Sequence, residues 1–396
     1  MKHSLRAAVI AAIAAAGSAA AQAPPSPFAE REQKALAEPF VGITTDGQPV
    51  PGLFPLAATG VSTAPVIDAT RAWLDALTPA QRAAASFAVD DIEWRKWMNV
   101  HRYARQGVSF RDMDARQREL AFALLRAGLS ARGFSTARDI MRLNARLGEL
   151  ATRPEEYGED LYWLTVMGEP SAEQPWGWQL DGHHLIVNYF VLKDQVVMTP
   201  TFMGSEPVSA TAGPHEGVIV LQAEQDQGLA FVNALDPARR AKAILDPVKT
   251  SNNNLAEGFK DNVVVPHQGL GAMEMSAEER ARFMALIMLY VGTIGGEHAQ
   301  VKMREVMAHL DETRFAWIGG TDADAVFYYR IHSPVILIEF DHQSPANIPT
   351  PPDQRKPTRA HIHTVMRTPN GNDYGKDLLR QHYEAHRDDP AHGHRQ

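Results

Sequence analysis

The sequence predicts an α+β fold, with an antiparallel sheet of about six or seven strands packed with N-terminal and central helices. Three observations carry this. Apolar residues recur at helical spacing through the first third of the chain. Runs rich in Val, Ile, Tyr, Phe and Thr, separated by turn residues, fill much of the middle and the last third. Beyond the first residues no apolar run reaches the length of a transmembrane helix, so about 370 residues remain to build a large core.

The chain starts with a segment that reads as an export signal over residues 1–21. Lys2 and Arg6 give a positive start, Ala7 to Ala16 is apolar, and Ser18-Ala-Ala-Ala21 supplies small residues for cleavage. Cleavage near Ala21 to Ala23 implies a periplasmic or secreted protein with no stable membrane insertion. Residues 22–63 read as a linker and N-terminal extension, opened by Ala23-Pro-Pro-Ser-Pro27. Residues 64–386 read as one α+β domain, followed by a frayed tail over 387–396.

Within that domain, helices are expected over Val66 to Leu77, Asp114 to Ala127 and Ser135 to Leu150. Thr78-Pro79 reads as an N-cap followed by proline at the first helical position. Trp94, Trp97 and Met98 read as core. Tyr162 to Gly168, His183 to Leu192 and Gln195 to Phe202 read as strands, with Lys193-Asp194 as a hairpin turn. Helices resume over Val218 to Leu235, Pro237 to Leu245, Ser276 to Val291 and about Glu297 to Leu310. Ser276 and Glu279 form a capping box. Phe315 to Ile318, Ala325 to His332, Val335 to Phe340 and Arg359 to Met366 then read as strands, and Lys376 to His386 as a closing helix.

The chemistry concentrates late in the chain. Half of its 16 histidines lie between His332 and the C-terminus. His361 and His363 form an H-x-H in a strand, so both imidazoles share one face, roughly 6.5–7 Å apart at the backbone. That spacing suits chelation of one metal. The competing reading is a pair of hydrogen-bonded sheet residues. His184, paired with Asn188 on the even face of its strand, and His342 complete a candidate ligand set of His184, His342, His361 and His363. Glu339 and Asp341 are candidates for a general base or for orienting the ligands, and Arg330 and Arg367 for neutralising an anionic substrate. Against this, Glu339 has a structural alternative, pairing with Arg330 across a hairpin. His382 and His386 have chelating spacing but read better as a solvated helix end.

The chain has no cysteine, which excludes disulfides and thiolate ligands. A formal charge of −8 argues against a nucleic-acid partner. P-loop, G-x-S-x-G, G-x-G-x-x-G and H-E-x-x-H motifs are absent. The expectation is an exported metal-dependent hydrolase acting on a small molecule, with zinc as the divalent metal and the oligomeric state open. Copper or iron redox chemistry, or periplasmic metal or ligand binding without turnover, are the alternatives.

The segments W-R-K-W-M-N-V-H-R (Trp94 to Arg102), D-G-H-H-L (Asp181 to Leu185), V-P-H-Q-G-L (Val265 to Leu270), R-I-H-S-P (Arg330 to Pro334) and H-I-H-T-V-M-R-T-P-N-G-N-D-Y-G (His361 to Gly375) together resemble an uncharacterised bacterial family, domain of unknown function 3500. The resemblance runs from about Ala64 to His386. It implies one family unit and carries no activity or catalytic residue with it.

Overall fold

The computed structural model describes residues 28–387. The expected targeting segment, the Ala23 to Pro27 linker, and His392 and His394 of the tail lie outside the described residues.

Ten α-helices occur among the described residues. They are α1 (Ala29–Ala37), α2 (Ala64–Ala76), α3 (Pro79–Ala85), α4 (Ala115–Gly128), α5 (Ala131–Leu150), α6 (Gln222–Ala234), α7 (Pro237–Ala243), α8 (Ala277–Val291), α9 (His298–Ala308) and α10 (Lys376–Ala385). Their starts follow local chemistry. Thr78 caps α3 with Pro79 at its first position, and Gln81 returns the bond; Asp114 with Gln117, and Ser276 with Glu279, do the same for α4 and α8.

The strands are β1 (Ser86–Phe87), β2 (Val108–Ser109), β3 (Tyr162–Met167), β4 (Trp176–Gly182), β5 (Leu185–Leu192), β6 (Gln195–Val197) and β7 (Thr201–Ser205). The second half adds β8 (Ile244–Asp246), β9 (Leu270–Gly271), β10 (Arg314–Gly319), β11 (Phe327–His332), β12 (Leu337–His342) and β13 (Ile362–Arg367). All 13 join one sheet in the order β1-β3-β4-β5-β7-β13-β12-β11-β10-β8, with β2 on β3, β6 on β5 and β9 on β10. Neighbours are antiparallel except β1 with β3 and β8 with β10.

The class is therefore α+β as expected, but the sheet has 13 strands rather than six or seven. Five of them are only two or three residues long, too short to display a period of two. In β4, Gly177, Gln179, Asp181 and Gly182 leave only Trp176, Trp178 and Leu180 apolar, and residues of low strand propensity conceal the strand.

Helices cover one face. Trp73, Leu124, Ile140 and Phe283 pack there on Leu185, Val187, Tyr189, Ile338 and Phe340. The opposite face carries Ile186, Phe190, Phe202, Leu337 and Val365, which pack with Ile43, Phe54, Trp94, Trp97, Ala256, Tyr374 and Leu378. Trp94, Trp97 and Met98 are buried, as read from the sequence. This second face is covered largely by irregular chain, and irregular chain is where polar groups can be arranged freely.

Candidate metal centre

β13 lies near the middle of the sheet, between β7 and β12. Its alternation turns His361 and His363 to the irregular face and leaves Ile362 among the helices. The residue opposite His363 on β7 is Gly204. A Cβ there would approach the Ile362 carbonyl to 2.8 Å and the His363 ring to 3.1 Å. The missing side chain leaves room for the imidazole.

His184 comes from across β7. Gly182 of β4 pairs with Leu185 of β5, so His183 and His184 form the two-residue turn between those strands, rather than opening a strand. His184 adopts φ +62°, in the left-handed region. Its carbonyl accepts from the Gly204 N–H at 2.8 Å, and its own N–H donates to the Asn99 carbonyl at 3.3 Å.

The three side chains meet. Nε2 of His361 is 3.0 Å from Nε2 of His363 and 3.3 Å from Nε2 of His184, and the third separation is 3.1 Å. All three residues are buried. Nitrogens bound to zinc at about 2.0–2.1 Å in tetrahedral geometry lie roughly 3.3–3.4 Å apart. The triangle is close to that size.

The outward nitrogens fix the protons. His361 Nδ1 lies 2.8 Å from the Ser344 carbonyl, which only accepts, so Nδ1 carries the hydrogen. His363 Nδ1 donates to Glu257 Oε1 at 2.6 Å. In their neutral forms both residues therefore present bare Nε2 lone pairs to each other. Burial pushes all three imidazoles below the ordinary histidine range, reinforced at His184 and His363 by the neighbouring rings. Neutral imidazole is the form that ligates metal, and a carboxylate or carbonyl behind the ring fixes its orientation.

A cavity of about 230 Å³ opens against the three histidines. Asn99, His101, Arg102, His183 and Asn347 contribute to its walls. His101 Nε2 lies 3.0 Å from Glu156, and burial lowers its pKa to about 4 despite that carboxylate. The Tyr157 hydroxyl donates to Asn347 Oδ1 at 3.0 Å.

His342 does not belong to this set. Strand alternation carries it to the helical face, where Nδ1 accepts from the Phe327 N–H at 2.9 Å and Nε2 lies 3.0 Å from Gln225 Oε1. With both ring nitrogens engaged and the sheet between, it cannot share a metal with His361.

Glu339, Asp341, Arg330 and Arg367 lie on the same face as the trio, but no hydrogen bond or ion pair joins them to it. Glu339 accepts from the N–H groups of Leu255 and Ala256 and from the Tyr328 hydroxyl. Arg330 is its cross-strand neighbour but donates to the Pro266 carbonyl. Asp341 holds Lys249 and the Asn253 N–H, and burial raises its pKa to about 7 against the pull of Lys249. Arg367 is held by Asp373 and Asp261. These groups fasten the 249–261 segment onto the sheet, and Glu257 rides on that segment.

His382 is buried rather than solvated, with its ring 4.4 Å from that of His386. Sequence reasoning missed Glu257, the Ser344 carbonyl, Asn99 and His101. All four sit in irregular segments, where no periodicity marks a residue's direction.

Among the described residues no helix is long and apolar enough to cross a membrane. Neither a curated protein nor a solved structure matches the chain. A family model does match, over residues 59–376, a span that takes in His184, Glu257, His361 and His363. On that match the chain belongs to the family described as "Protein of unknown function (DUF3500)".

Proposed function

We propose that His184, His361 and His363 bind one divalent metal ion, zinc, and that the chain is an exported metal-dependent hydrolase of a small-molecule substrate. The observation that carries this is the convergence of three Nε2 atoms within 3.3 Å, two of them held as bare lone pairs by their Nδ1 partners. Such lone pairs repel one another unless a cation or a donated hydrogen lies between them, and one hydrogen on His184 Nε2 cannot satisfy both as a single metal ion would.

Three imidazoles leave a fourth position on a tetrahedral metal, and the cavity beside them gives that position access. A metal so held lowers the pKa of a bound water from about 15.7 to about 7 and polarises a carbonyl or phosphoryl oxygen. Glu257 keeps the His363 ring in place and raises its basicity. A closed ligand set would fit sequestration without turnover; the cavity favours turnover. Export rests on the charged, apolar and small residues that open the sequence.

The test is elemental analysis of the mature protein, purified from periplasm or medium without chelators or metal resins. One zinc per chain is expected. Stoichiometric copper or iron would move the function to redox chemistry, which an all-imidazole set also supports. No metal, with no melting shift on adding zinc, copper, iron or manganese, would refute the proposal and leave a metal-free hydrolase or binding protein.

A further inference from the structure

Two polar groups in the cavity wall have no use in holding the metal. Asn99 is only 5% exposed, yet its side-chain amide has no hydrogen-bond partner among the described residues. Its backbone carbonyl is accounted for, since it receives the His184 N–H. An amide offers two donors and one acceptor, and here they open onto the cavity with no other group of the described residues to take them.

His183 is the second group, and it is 3% exposed. Asn144 donates through Nδ2 to the Gly158 carbonyl, which leaves its Oδ1 as the acceptor facing His183 Nδ1 at 2.8 Å. His183 therefore carries its hydrogen on Nδ1, and its Nε2 is an acceptor. That Nε2 has no partner among the described residues, and the residue lines the same cavity as the metal trio. The His183 ring stacks on that of His184 with centroids 3.9 Å apart, so the acceptor sits next to a metal ligand.

Size and charge narrow what fits. The cavity, at about 230 Å³, is smaller than the roughly 300–1,000 Å³ of sites for drug-sized ligands. Among the residues lining it, Arg102 alone carries a full charge, and Glu156 pairs with it at 3.4 Å. Apart from the metal itself, the lining offers an anionic substrate end only this one guanidinium, which is already paired.

We infer that this cavity takes small uncharged amides, with the carbonyl oxygen towards the metal, the N–H donating to His183 Nε2, and the Asn99 amide pairing with the remaining polar atom. This rests on the metal site proposed above. An amide carries an acceptor and a donor one carbon apart; an ester of the same shape has no donor for His183. In the reaction water adds across the carbon–nitrogen bond. Its oxygen bonds to the carbonyl carbon, the C–N bond breaks, and the amine leaves with the proton, giving a carboxylic acid and an amine.

The test uses cobalt(II)-loaded protein, followed by visible absorption, with acetohydroxamate as the probe. N-methylacetohydroxamate chelates in the same way but lacks the N–H. Wild type should bind acetohydroxamate roughly tenfold more tightly than the methylated probe. His183→Asn keeps a donor for Asn144 and removes the Nε2 acceptor, so it should abolish that preference while cobalt stoichiometry is unchanged. Asn99→Ala should weaken acetohydroxamate by roughly tenfold with cobalt again retained. Equal affinities in wild type would overturn the inference. So would a preference that survives in His183→Asn, because it would then be steric. Failure of wild type to take up cobalt would overturn the metal site itself, and is read before any probe is added.

Discussion

Replacing Glu257 by glutamine tests the centre without touching a ligand. The carboxylate accepts the His363 Nδ1–H at 2.6 Å, a distance typical of a charge-assisted bond, and also receives Asn254 Nδ2 at 3.0 Å. Glutamine keeps an acceptor oxygen and nearly the same volume, so the ring has a partner but loses the adjacent negative charge. Losing such a partner behind a metal-bound histidine weakens metal binding by about 10–100-fold. That is about 1.4–2.8 kcal/mol of binding free energy. The metal-free fold should tolerate the change, because burial already pushes the Glu257 carboxyl above its ordinary range. The assay is competition for zinc against a chromophoric chelator, with thermal melting of the metal-free forms as the control. A zinc affinity within about twofold of wild type would refute the reasoning, since the carboxylate would then be structural only.

Three further outcomes are expected. His361→Ala with His363→Ala should lose stoichiometric metal while circular dichroism and metal-free melting stay close to wild type; a collapsed fold would mean that these residues serve as sheet hydrogen-bonding groups instead. Asp341→Asn should leave Lys249 charged and fully buried without its counter-ion, costing about 3–5 kcal/mol in chemical denaturation with zinc stoichiometry unchanged; loss of zinc would return Asp341 to the site. Burial lowers the His342 pKa from 6.5 to about 3, so its contribution to stability is full above pH 6.5 and is lost as pH falls from there towards 3. His342→Asn, which keeps an acceptor for the Phe327 N–H, should flatten that acid-side slope and leave metal content alone, whereas an unchanged slope would count against a neutral buried His342.

What could be read from the sequence was whatever periodicity marks. The H-x-H geometry followed from strand alternation, and the two Nε2 atoms do lie 3.0 Å apart. The convergence of His184 with them followed from the number of ligands a stable site needs, and it holds across a separation of 177 positions from His361. The capping residues Thr78 and Ser276 marked their helix starts. His342 failed for a reason the same alternation contained. Its strand stays regular through residue 342, so Phe340 and His342 share the face away from Asp341. The turn at His183-His184 was hidden because neither residue is a usual turn former, and its left-handed φ is held by tertiary bonds to Asn99 and Gly204. Glu257 was invisible because a polar loop gives no sign of which side chain points inward.

The seam at which β7 separates β5 from β13 has a consequence for how the chain assembles. His184 arrives with strands from the first half of the sequence, and His361 and His363 arrive with the last strand. Bringing such distant positions together costs about 4–5 kcal/mol in loop-closure entropy, and a metal cannot recover that until both halves of the sheet have docked. Tight metal capture should therefore follow ring closure rather than seed it. In stopped-flow refolding, the cobalt spectrum of the three-histidine site should rise with, or after, the slowest recovery of tertiary structure. Metal supplied earlier would meet only His361 and His363, a pair from which a chelator can still remove it. The ion would then act as a latch that closes last, and its dwell time would measure how often the two halves of the sheet part.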